Sequence, residues 1–183
     1  SITETNRRLF RSMRRLLHVL RPQVLLAPEG HLRHLKVALV SDALTRACLS
    51  REVLVRDLTT LNYRLLLKLW KPDLLFVESA WNGHQNAWKF KIAAYPDHPE
   101  RNNRVLARMV AYARDLGIPC VFWNKEDGVH FDRFIDSAKL FDHIFTVDEN
   151  CIPRYRAVVG PGVTVHTLMF PVQPTTHHFT GFH

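Results

Sequence analysis

Short apolar runs alternate with amphipathic stretches along most of this chain. Residues 36–40 form a compact apolar strand, and residues 42–50 read as a helix with Asp42 at its cap position. In residues 52–58, Val53 and Val55 alternate with charged neighbours, the pattern of a strand near a sheet edge. Residues 60–70 predict a helix that turns Leu61, Leu65, Leu66 and Leu69 inward, and the Lys71-Pro72 step ends it. Residues 74–77 are continuously apolar, as expected for a strand buried on both faces of a parallel sheet. A long helix follows over 104–116, closed by Gly117, and then a buried strand over 118–123. A helix over 130–141 places Phe131, Phe134, Ile135 and Ala138 on one side; a strand over 143–147, a helix over 149–158 and a strand over 163–168 complete the series. Six strands alternating with helices predict an α/β fold, a Rossmann-like parallel sheet with helices on both faces.

Two segments flank this pattern. Over residues 5–20, Leu9, Met13, Leu16, Leu17 and Leu20 recur at spacings of three and four, with Arg7, Arg8, Arg11, Arg14 and Arg15 filling the opposite side. This predicts an amphipathic helix with a basic outer face, either a plain solvated surface or a contact for anionic lipid or another polyanion. The expected organisation is therefore a basic helix and connector over 1–34, an α/β domain over 35–169, and a proline-containing tail over 170–183 that leads toward a further domain.

Composition changes this picture little. The chain has 183 residues, with 46% hydrophobic and 23% charged, enough to bury one substantial core. The net charge of +8 is concentrated in the arginine segment, which argues against a nucleic-acid binder. Three widely spaced cysteines imply no disulfide framework. No apolar run reaches the roughly 20 residues that span a bilayer, and the start lacks a secretory core, so the expected setting is the cytoplasm, with the basic helix allowing attachment at the inner membrane face.

In an open parallel sheet, ligands bind beyond the carboxyl ends of the strands. The residues at those ends are Ser41 and Asp42, then Glu78, Ser79, Trp81 and Asn82, then Asn124, Lys125, Glu126, Asp127 and His130, and finally Asp148. A carboxylate directly after a buried strand must be solvated, paired or used. Glu78 thus reads as a loop anchor or as a general base or hydroxyl acceptor. Lys125, Glu126 and Asp127 either pair with one another at a helix start or line a cleft, and His130 is either a surface residue or a proton carrier. Trp81, Trp88 and Trp123 fall near the same edge and suit sugar rings or bases, although core packing is the commoner fate of tryptophan. The loop over 79–99 is long enough to act as a binding lid. There is no GxGxxG, no GxxxxGK[ST] and no GxSxG, and the histidines of HLRH (31–34) and His177-His178 lack partners at zinc spacing, so no metal site is expected.

With these residues in view, the chain resembles the N-terminal region of CgeB-like (spore maturation protein) glycosyltransferases. The stretches that carry the likeness are KPDLLFVESAW (71–81), the loop containing Trp88, GIPCVFWNKEDGVHFDRF (117–134), FDHIFTVDENCIPRY (141–155) and LMFPVQPTTHH (168–178). Together they span most of residues 36–178. Many relatives have proline after the acidic pair where this chain has Gly128. The resemblance implies the N-terminal half of a GT-B architecture, two Rossmann-like domains facing across a cleft. The N-terminal domain of such enzymes binds the acceptor, a sugar or glycan, and can supply a base; the C-terminal domain holds the nucleotide-sugar donor. On this reading Glu78, Glu126, Asp127 and His130 are the catalytic candidates. Ser79, Trp81, Asn82, Trp88, Trp123, Asn124 and Lys125 bind substrate. No cofactor is needed here, the donor enters with the missing C-terminal domain, and the fragment is inactive alone. The alternative is a non-catalytic sugar- or nucleotide-binding or assembly module that docks through its basic helix.

Overall fold

The computed structural model describes Pro28 and residues 30–174. The basic helix expected over 5–20 and the end of the tail, from residue 175 on, lie outside the described residues.

Six strands form one parallel sheet: β1 (Lys36–Val40), β2 (Leu54–Asp57), β3 (Leu74–Glu78), β4 (Cys120–Asn124), β5 (His143–Thr146) and β6 (Thr164–Thr167). Their order is β2-β1-β3-β4-β5-β6. Parallel neighbours need crossover connections. These contain α1 (Ala43–Leu49), α2 (Tyr63–Trp70), α3 (Arg104–Asp115), α4 (Phe131–Ala138) and α5 (Ile152–Arg156). The α/β, Rossmann-like architecture expected from the alternating pattern is present.

Alternation along the strands separates two faces. On one, Ala38, Val40, Leu75, Val77, Phe122 and Ile144 join a core with Leu66 and Leu67 of α2, Met109 and Val110 of α3, Phe134 of α4 and Tyr155 of α5. On the other, Val37, Leu39, Val53 and Val55 pack with Leu49 of α1, Leu74 and Phe76. A strap follows β6 across this second face. Leu168 O accepts the Trp123 indole N–H at 2.9 Å, the Phe170 ring lies 5.7 Å from that of Trp123, and Gln173 Nε2 donates to Glu52 Oε1 at 2.6 Å.

The phase of α2 differs from expectation. Its buried residues are Tyr63, Leu66 and Leu67, while Leu61 is 95% exposed and Leu69 is also exposed. The cause is a local turn: Thr59 N donates to Asn62 Oδ1, and the N–H groups of Leu61 and Asn62 donate to Thr59 Oγ1. These side-chain bonds compete with helix formation and delay it to Tyr63. At the far end Lys71 adopts φ 50, as the chain leaves the helix ahead of Pro72.

The chain runs from β1 outward to β2 and then returns across β1 to β3. The carboxyl ends of β1 and β3 therefore flank the point where the direction of winding reverses, the general ligand position of open α/β sheets.

Candidate functional site

At that reversal point, three charged residues from three strand ends converge. Glu78, the last residue of β3, is 0% exposed. Its Oε1 accepts from Asp42 N at 2.5 Å and from Lys125 Nζ at 3.1 Å. Lys125 Nζ also donates to Asp42 Oδ2 at 3.2 Å, so one ammonium bridges two carboxylates. Access differs sharply among them: the Lys125 side chain is 14% exposed and that of Asp42 33%. Asp42 stands at the cap position of α1 but makes no side-chain cap bond; its Oδ1 instead accepts from Gly83 N at 3.2 Å. It thereby ties the loop after β3 to the end of β1.

Burial pushes the Glu78 carboxyl above its ordinary range, and the Lys125 charge opposes that shift. Burial alone would lower the Lys125 ammonium, but the Glu78 and Asp42 carboxylates turn its net shift upward. Glu78 Oε2 has no hydrogen-bond partner by distance and angle, although the Thr45 hydroxyl is close enough to favour the ionised form.

A second network adjoins the first. Asn124, at the end of β4, is buried and donates from Nδ2 to Asp127 Oδ1 at 2.7 Å and to Tyr155 Oη at 2.8 Å. The Tyr155 hydroxyl donates to Asp127 Oδ2 at 2.8 Å. Burial raises Asp127, against the pull of the Thr146 and Tyr155 hydroxyls, and raises the Tyr155 phenol, to which Asp127 adds. Ser79 is buried, and its Oγ accepts from Lys125 N at 2.9 Å, joining the β3 and β4 ends.

The structure thus brings together Glu78, Ser79, Asn124, Lys125 and Asp127. Glu126 lies half-buried in the same turn, and its carbonyl accepts from His130 N at 2.9 Å. His130 and Trp81 form an edge-to-face pair with ring centroids 5.3 Å apart, both half-buried. Asn82 is exposed, and its carbonyl accepts from Trp88 N.

The three tryptophans do not share one surface. Trp88 is completely buried in the core on the helical side, its N–H donating to Leu58 O at 2.7 Å, and it presents no surface to a ligand. Trp123 points to the opposite face, beneath the strap. Trp81 alone of the three remains half-open beside the polar edge. The loop after β3 is pinned at its middle: Ser137 Oγ donates to Ile92 O at 2.5 Å, and Ala94 N donates to Arg133 O at 2.6 Å.

From the sequence, Asp42 is expected only as a helix cap after a strand. Nothing in the sequence places Tyr155 in the site. The partners of both are remote in sequence: Asp42 and Lys125 are 83 positions apart, and Tyr155 and Asn124 are 31. A tyrosine on a short helix gives no pattern from which that contact can be read.

Among the described residues, no group of three or more His, Cys, Asp and Glu side chains is arranged to hold a metal ion. No described helix is long and apolar enough to cross a membrane. Fold and site together define an α/β domain of Rossmann-like type with a charged, buried seam at its winding reversal. No protein-family model, curated protein or solved structure matches the chain.

Proposed function

We propose that this chain is the acceptor-side domain of a CgeB-like glycosyltransferase of GT-B type, which moves a sugar from a nucleotide-sugar donor to an acceptor hydroxyl. The observation that carries this reading is the Asp42–Lys125–Glu78 seam. Two carboxylates around one ammonium leave a net negative charge at the position where a nucleotide-binding domain would receive phosphate. No glycine-rich loop follows β1 to cradle a phosphate. The edge therefore suits a hydroxyl-rich acceptor, and the donor falls to a second domain. The Trp81–His130 pair beside it offers a ring face and a polar edge to a sugar.

In this reading Asp42, the more accessible carboxylate, takes the proton. The acceptor oxygen bonds to the anomeric carbon, its proton passes to Asp42, and the nucleotide leaves with the electron pair of the bond it loses. Glu78, first expected to be the base, acts as a positioning residue that fixes Lys125 and the Asp42 backbone. Glu126 and His130 line the acceptor side, and Asp127 fixes the turn that carries them. The enzyme works in the cytoplasm, and Arg7, Arg8, Arg11, Arg14 and Arg15 are free to meet an anionic membrane face.

Titrating the labelled chain with oligosaccharides and with nucleoside diphosphates, followed by NMR, tests the assignment. Oligosaccharides are expected to move the Trp81 and His130 signals, less so in Asp42→Asn. Nucleoside diphosphates that instead perturb the β1–α1 junction would reject the acceptor assignment. In a protein carrying both domains, Asp42→Asn is expected to lower kcat by about 10²–10⁴-fold, the usual contribution of a general base. The complete burial of Glu78 favours a second reading, a module that holds a sugar without chemistry. Saccharide binding that persists in Asp42→Asn, with no sugar transfer by the protein carrying both domains, would select it.

A further inference from the structure

The second face of the sheet is thinly covered. Helices α2 to α5 contribute to the core on the first face. Among the described residues, the second face receives Leu49 of α1 and the strap over 168–173. Between these, Phe76, Val121 and Phe145 are half-buried. On the strap, Met169, Phe170 and Val172 are 62%, 55% and 74% exposed, Phe170 while keeping its ring contact with Trp123. A concentration of large apolar groups of this kind marks a surface that something covers.

The sequence holds a segment of matching character. Residues 5–20, outside the described residues, carry Leu9, Met13, Leu16, Leu17 and Leu20 at helical spacing. As a helix the segment would be about 24 Å long. The strands whose second-face residues stay half-buried, β3 to β5, span about 10 Å, so the segment is long enough to cross them. The connection is short enough. At Gly30 an added Cβ would stand 3.6 Å from Glu52 Oε2, and Gln173 of the strap bonds the same carboxylate. Gly30 therefore lies beside the end of the strap, and seven residues such as 21–27, when extended, reach about 23 Å.

We propose that residues 5–20 dock across the second face of the sheet, with Leu9, Met13, Leu16, Leu17 and Leu20 against Phe76, Val121, Phe145 and the apolar side of the strap. The arginines then point to water. The occupant is this chain's own N-terminal segment rather than a bilayer or a second copy: its apolar stripe is continuous, its length suffices to cross β3 to β5, and its tether begins beside the end of the strap.

An environment-sensitive thiol dye on Met13→Cys in the full chain tests this, with the same dye on Arg11→Cys as the outward control. Cys48, Cys120 and Cys151 are buried free thiols and stay unlabelled in the folded protein. The expected result is blue-shifted emission from position 13 and water-like emission from position 11, in a monomer without lipid. Val172→Asp, at a solvent-facing position where folding is safe, should return the position 13 emission toward that of water with the far-UV circular dichroism unchanged. Phe145→Asp should do the same. Water-like emission at position 13 in the parent chain overturns the proposal. So does a blue shift that is lost on dilution together with a dimer, or one that develops only with phosphatidylserine-containing vesicles. A blue shift insensitive to both Asp variants also overturns it.

Discussion

Glu78 is a carboxylate shielded from solvent, held by one ammonium and one backbone N–H. Its raised proton affinity has a direct consequence for stability. A group whose affinity is higher in the folded state contributes stability fully below its unfolded value, and loses it as pH rises through the folded value. The ordinary values are 4.5 for Glu78 and 3.8 for Asp127, and both are raised. Urea midpoints should therefore fall as pH climbs from those values toward neutrality, and Glu78→Gln should flatten the decline. Lys125→Met removes the charge that restrains Glu78, so the decline should steepen and extend further. At neutral pH that variant should lose about 3 kcal/mol, the scale for breaking a buried pair from one side. The double variant Glu78→Gln/Lys125→Met should recover most of this loss; a purely additive double variant would show that the two side chains do not interact.

The elements were largely legible because β1, β3 and β4 are apolar runs bounded by a charge or a turn. Strands over 74–77 and 118–123 announced themselves by continuous hydrophobicity, and the structure pairs Leu75 with Cys120 and Val77 with Phe122. The phase of α2 was not legible. YRLLLKLW offers several leucine faces, and the Thr59–Asn62 turn decides which one faces inward. At the site, strand endings pointed to Glu78, Ser79, Asn124 and Lys125, but the fates of Trp88 and Trp123 required the crossovers and the strap. Backbone geometry separates two glycines that look alike in sequence. Gly83 has φ 67, and an added Cβ would meet Trp88 Cβ at 3.0 Å; Gly117 has φ 71 with nothing within 4 Å. Gly83→Ala combines a backbone conformation reserved for glycine with a clash against a fixed ring, and should cost about 2–3 kcal/mol. Gly117→Ala should cost about 1 kcal/mol, the left-handed backbone penalty alone. Thermal denaturation of the two variants provides the comparison, and equal losses would show that the Trp88 contact adds no cost.

For the whole molecule, the sheet works as a wall with two unlike sides. One buries an aromatic-rich core beneath helices α2 to α5, while the other, among the described residues, receives α1 through Leu49 and an extended strap anchored at Trp123 and Glu52. The polar seam runs along the top, where β1, β3 and β4 end, and it reaches both sides: Asn124 turns toward Tyr155 in the helical layer, whereas its neighbour Trp123 turns toward the strap. The seam is thus tied to both layers through adjacent residues of β4.

The meeting of Gly30 and Gln173 at Glu52 has a topological consequence. The described chain is nearly a closed ring, with its two ends brought together beside β2. Its ends can then be exchanged: a short linker from 174 to 28, with the chain reopened at the exposed Gly160–Gly162 turn, leaves all six strands and their order intact. Such a circular permutant should retain the parent's far-UV circular dichroism spectrum and cooperative urea unfolding, and a permutant that unfolds without a cooperative transition would show that the closure at Glu52 does not hold the ends.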